Sequence, residues 1–154
     1  MPKIPADTLA AILIPFPDPF EKEKDITYRL VQRRTLLECH RVLRKKHNNE
    51  CDDIYDGGLL FLATDHDGYH DWCHRMIDDV NKSNVSNNNT AIEDSDDGGG
   101  ETPTINNKTD TSSLLFRLIE PCPDRSEWLP AVSRYERKGL EEGRSTKLSC
   151  WMAI

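Results

Sequence analysis

Between Ala63 and Asp79 the chain reads ATDHDGYHDWCHRMIDD. These seventeen residues hold three of the five histidines, one of the five cysteines and five aspartates. All five histidines (His40, His47, His66, His70 and His74) lie between positions 39 and 74, as do Cys39, Cys51 and Cys73. Imidazole nitrogen and thiolate sulfur are the donors zinc prefers. On a helix, His70, Cys73 and His74 stand at i, i+3 and i+4 and share a face. The candidates for a composite metal site are therefore His40, His66, His70, Cys73 and His74, with core thiols and surface imidazoles as the preferred reading. No C-x-x-C or H-E-x-x-H spacing accompanies them, so a core-thiol role for Cys39 and Cys73 stands beside the metal reading.

The carboxylates offer a second chemistry. Asp65 and Asp67 follow the apolar run LLFLA. The carboxyl end of a parallel strand is where open α/β sheets hold ligands. Two carboxylates there could bind Mg²⁺ with the help of a phosphate. Over about ten residues, LLFLATDHDG resembles the first motif of the haloacid dehalogenase-type phosphatases. That resemblance implies Asp65 as nucleophile and Asp67 as acid/base. The later Ser/Thr, Lys and acidic pair of that family do not follow in order. Locally, Thr64, Asp65 and Asp67 are also good turn and helix-capping residues, and this simpler role is the preferred one.

The elements that must position these residues read as β-α-β-α, a long loop, then β-α-β. Leu9–Ile14 is a short apolar strand stopped by PFPDP. A helix free of Gly and Pro is expected from about Lys24 to His47, with Ile26, Leu30, Leu36, Leu37 and Leu43 towards the core. LLFLA is a second strand. A helix runs from Asp67 or Gly68 to about Val80, its core face marked by Trp72, Met76 and Val80. The segment at about 82–111, rich in Asn, Asp, Gly, Ser and Thr, reads as a disordered insertion within a single domain spanning 1–154. LLFRLIE is a third strand, a helix starts near Leu129 because Pro130 suits a first turn, and STKLSCWMAI is the last strand. The expected class is α/β, with a small mixed or mainly parallel sheet of about four strands covered by helices. An α+β sandwich is the alternative.

Charge is unevenly placed. Net charge is −7, which disfavours attraction of the whole surface to nucleic acid or anionic membrane. Yet Tyr28–His47 carries Arg29, Arg33, Arg34, Arg41, Arg44, Lys45 and Lys46 against the single Glu38. Residues 50–101 carry fourteen acidic residues against Arg75 and Lys82. No run approaches the roughly 18 apolar residues of a membrane span. The N-terminus lacks a basic start for a signal peptide, so the cysteines are expected as free thiols in an intracellular, cytoplasmic or nuclear setting. Cys150 is fifth from the C-terminus and misses a prenylation box.

No family is recognised over a useful length. The functional expectation is a non-enzymatic adaptor or small subunit of a larger assembly, binding a protein partner through the basic helix and through Trp128, Tyr135 and Trp151, without a cofactor. The first alternative is a hydrolase or phosphatase-like enzyme using Asp65 and Asp67 with zinc or Mg²⁺. The second is polyanion binding (RNA or phosphate) through residues 28–47. Nucleic acid is not the favoured partner.

Overall fold

The computed structural model describes residues 3–45, 57–89 and 114–154. The expected insertion at about 82–111 falls mostly outside these residues, as do Lys46, His47 and Cys51. Four strands form one mixed sheet: β1 (Ala11–Pro15), β2 (Leu59–Thr64), β3 (Phe116–Leu118) and β4 (Lys147–Ala153), in the order β1-β2-β4-β3. β1 runs parallel to β2, and β4 runs antiparallel to both β2 and β3. The expected α/β class with a mixed sheet is the one found.

β2 is central, flanked on both sides, and reads LLFLAT with five of its six residues buried. A strand covered on both faces has no need of polar alternation, which is why it appears as a continuous apolar run. Gly57 and Gly58 lead into it at a point where chains crowd. A Cβ on Gly58 would lie 2.8 Å from the Arg44 nitrogen, and one on Gly57 2.6 Å from the Ala153 carbonyl oxygen.

Helix α1 (Arg33–Val42) and helix α2 (Asp67–Asn89) pack against each other. On α2 the deepest row is Tyr69, Cys73, Ile77 and Val80, while Trp72 and Met76 pack at its margin. The helix register is thus rotated slightly from the Trp72, Met76, Val80 face expected. α2 also runs past Val80, with Asn81 buried beneath it. The Asn81 amide donates to the Phe116 carbonyl at 2.9 Å, and its oxygen accepts from Leu115 and Phe116 N–H at 3.0 Å. A polar side chain at the edge of an Asn-rich stretch therefore fixes the start of β3.

The long helix expected from Lys24 to His47 is broken. Glu23–Tyr28 forms a 3-10 segment, and α1 begins only at Arg33 after an extended Gln32. The cause is tertiary. The Val31 N–H donates to the Tyr69 hydroxyl at 3.3 Å, and Trp72 Nε1 donates to the Val31 carbonyl at 2.8 Å. Side chains of α2 thus take hydrogen bonds a continuous helix would need for itself. Leu30 and Leu37, expected in the core, are exposed in consequence. The helix expected from Leu129 begins only at Arg134, as α4 (Arg134–Glu141), and a short helix not expected, α3 (Arg125–Trp128), precedes Pro130.

Candidate functional site

The carboxyl ends of the parallel pair β1 and β2 open into a cleft of about 540 Å³. Its walls are the turn after β1 (Phe16, Asp18, Glu21), the end of β2 (Asp65, His66) and one face of α4 with the loop beyond it (Tyr135, Lys138, Arg144). The sheet rule for open α/β folds places a ligand at this end.

The turn FPDPF is held by β2, by Arg29 and by a hydrogen bond of its own. Its first N–H, on Phe16, donates to the Ala63 carbonyl at 2.7 Å. Phe16 and Phe20 take left-handed backbone angles, φ 49° and 41°, conformations that cost a non-glycine residue about 1–3 kcal/mol and persist only when the surroundings enforce them. At Phe20 the enforcing group is Arg29. Its guanidinium donates to the Pro19 carbonyl at 2.7 Å and the Phe20 carbonyl at 3.4 Å. The same group lies over the Trp72 ring, 4.7 Å from its centroid. Asp18 stands exposed at the tip, its carboxylate accepting from the Phe20 N–H at 3.0 Å.

Asp65 and Asp67 diverge. Asp65 Oδ2 accepts from Arg144 Nε at 2.7 Å on the cleft side. Asp67 pairs with Lys147 at 3.1 Å, its side chain 82% exposed. The two carboxylates are therefore held by different cations and share no ion site, which removes the geometry the phosphatase-like resemblance implies. Neither caps α2 with its side chain. That cap is His66, whose Nδ1 accepts from the Tyr69 N–H at 3.0 Å. With Nδ1 an acceptor, the neutral ring carries its hydrogen on Nε2, and that nitrogen meets Glu21 Oε1 at 2.9 Å.

α4 reaches the cleft by way of a buried ion pair. Glu136, 4% exposed, accepts from Arg125 Nε at 2.9 Å and Nη2 at 2.5 Å. Arg125 also donates to the Leu129 and Ala131 carbonyls, so one guanidinium ties α3, the Pro130 link and α4 together. Ser133 caps α4 by accepting from the Glu136 N–H at 3.0 Å. Gly139 then faces Asp65, and a Cβ there would sit 2.5 Å from Asp65 Oδ2.

The other expected site residues are scattered. His40 Nε2 meets the Ile154 carbonyl at 3.1 Å and its ring abuts Phe116. Cys73 is buried beside Tyr69, and burial pushes its thiol up to about 12. His70 and His74 converge on Ser149, away from His40 and His66. Among the described residues, no three His, Cys, Asp or Glu side chains are grouped as a metal site. The basic residues of 28–45 do not form one open face. Arg29 is turned inward, Arg41 pairs with Glu38, and Lys45 pairs with Asp7. Arg33, Arg34 and Arg44 are exposed. Of the three aromatic anchors, Trp151 is buried and Trp128 stacks on Phe61 at 4.3 Å, leaving Tyr135, 72% exposed, at the cleft.

Asp18, Glu21, Glu136, Gly139 and Arg144 were not singled out by sequence. The available signal was an aspartate between two prolines directly after an apolar strand. It reads as a strand stop unless the strand is known to be parallel.

A family model described as "Putative methyltransferase" matches residues 2–109. No curated protein matches the chain. The family match corrects the functional expectation. An enzyme family replaces the non-enzymatic adaptor or small subunit, and with it the protein-binding role assigned to the basic helix and the aromatic residues. The matched span contains β1, the FPDPF turn, β2 and Asp65, so it takes in two of the three walls of the cleft.

Proposed function

The chain belongs to this putative methyltransferase family, and we propose that the cleft at the carboxyl ends of β1 and β2 holds the methyl acceptor. The observation that carries the reading is the convergence of Asp18 and Asp65 with Phe16 and Tyr135 around one opening. Aromatic side chains suit a planar acceptor group. The carboxylates suit the N–H or O–H it presents.

An acceptor nitrogen or oxygen that gains a methyl group sheds the proton it carried. Asp18, exposed at the turn tip, is suited to receive it. Asp65, held by Arg144, is suited to accept a hydrogen bond that orients the acceptor. His66 and Glu21 brace the cleft between the turn and α2.

Family membership implies a methyl donor, such as the sulfonium S-adenosylmethionine. The cleft itself does not fit a whole donor of that kind. A nucleoside-bearing cofactor on an α/β sheet is usually approached by a glycine-rich backbone turn. Here the turn after β1 is FPDPF, whose Pro17 and Pro19 lack N–H groups. The cleft is accordingly assigned to the acceptor alone.

The test incubates the full chain with methyl-tritiated S-adenosylmethionine and separate protein, RNA and small-molecule pools from cells. Label should pass into one pool, and Asp18→Asn should lower its rate by about 10²-fold or more. Absence of transfer to every pool, or an unchanged rate in Asp18→Asn, would overturn the reading.

A further inference from the structure

A second opening shares no lining residue with the cleft. It is a cavity of about 460 Å³ between His70 and His74 of α2, Ser149 of β4 and the segment Leu118–Cys122. The sequence HDWCH places the two histidines at i and i+4, one turn apart on one helix face. Their Nε2 atoms both lie 2.9 Å from Ser149 Oγ. The ring centroids are 4.5 Å apart. Two imidazole nitrogens are thus aimed at one point inside an open cavity.

A serine hydroxyl has one hydrogen. It also has two acceptor lone pairs, so Ser149 can accept from both rings or donate to one and accept from the other. A metal ion asks both for the same role, as lone-pair donors. The i, i+4 histidine pair on a helix is the spacing that zinc-binding helices use to present two ligands from one face. An ion with zinc–nitrogen bonds of about 2.0–2.1 Å would sit between the two rings in place of the hydroxyl contact they now share, with the Ser149 side chain turned aside. Glu120 and Cys122 line the same cavity.

We propose that His70 and His74 form a two-imidazole site for a first-row divalent ion, such as zinc or nickel, in the cavity between α2 and the Leu118–Cys122 segment. Imidazole suits these ions. Two protein ligands leave the remaining positions to water, so the site is weaker than a closed four-ligand centre. It is independent of the methyl-acceptor reading, and no residue is common to the two openings.

The test is calorimetric titration of the full chain, stripped with chelator, against nickel chloride. One equivalent should bind saturably. Loss of even an outer partner of a metal ligand costs about 10–100-fold in affinity, so His70→Ala and His74→Ala should each weaken binding by at least about tenfold. His40→Ala should bind like the unaltered chain. Because the histidine variants could disturb packing on Ser149, the unaltered protein is also followed by proton NMR during the titration. Paramagnetic nickel should broaden the His70 and His74 ring signals before those of His40 and His66. Absence of saturable binding, equal affinity in the two histidine variants and the unaltered chain, or simultaneous broadening of all histidines would each overturn the proposal.

Discussion

His66 and His40 show how one residue type takes different duties from its surroundings. His66 is a helix cap through Nδ1 and a strut to Glu21 through Nε2. His40 is packed against Phe116 and the chain end, and burial lowers its pKa below the usual imidazole value, with Lys45 adding to the effect while the Ile154 carbonyl and Asp7 oppose it. A histidine whose folded pKa is depressed binds a proton less readily in the native state than in the unfolded chain. Its contribution to stability is complete above the unfolded value of about 6.5 and is lost as pH falls through the folded value. The urea midpoint should therefore be lower at pH 5 than at pH 7.5, and His40→Gln should narrow that difference. An unchanged difference in His40→Gln would assign the acid sensitivity elsewhere. At this scale the sequence was partly legible. It marked Asp65 and His66, but it could not show that Asp65 turns to Arg144, seventy-nine positions away, or that a histidine would cap α2 where two aspartates were available.

The elements are shaped by what crosses between them. Arg29 joins the FPDPF turn to α2, and its hydrogen bonds and ring contact replace the helix expected through Tyr28–Gln32. Arg29→Ala should destabilise the chain by about 1–3 kcal/mol and speed hydrogen exchange at Phe16 and Phe20. Arg29→Lys should recover little of this, since an ammonium lacks the planar fork. Denaturant unfolding and exchange measured together separate the two effects. Gly139 is the matching point on α4. Gly139→Ala would drive a methyl into Asp65 Oδ2, so a cost of about 1–3 kcal/mol is expected, despite the better helix propensity of alanine. A gain in stability would mean that Asp65 can yield its place without loss. The sequence revealed each strand because β-period and apolar runs are local signals. It overextended the first helix because the competing acceptor, the Tyr69 hydroxyl, lies thirty-eight positions downstream.

For the molecule as a whole, the mixed sheet does the positioning. The parallel pairing of β1 and β2 brings two strand ends to one edge, and antiparallel β4 returns the chain so that Arg144 and α4 close the cleft. Leu62, 1% exposed at the centre of β2, should be costly to truncate. Leu62→Ala is expected to lose about 2–5 kcal/mol, whereas Leu37→Ala, at a position 40% exposed, should lose less than about 1 kcal/mol. Equal losses would contradict the assigned core. The alternation of strands and helices made the α/β class readable from sequence. Membership of an enzyme family was not readable, because the FPDPF turn, Asp65 and α4 come to one cleft only when the sheet joins them. Among the described residues no helix is long and apolar enough to cross a membrane. The most direct measurement compares labelled methyl transfer from S-adenosylmethionine by the full chain, Asp65→Asn and Asp67→Asn under identical conditions. The predicted result is a loss of about 10²-fold or more in Asp65→Asn with Asp67→Asn within about twofold of the unaltered chain. Equal rates in all three, or a loss confined to Asp67→Asn, would contradict the assignment of the cleft as the acceptor site.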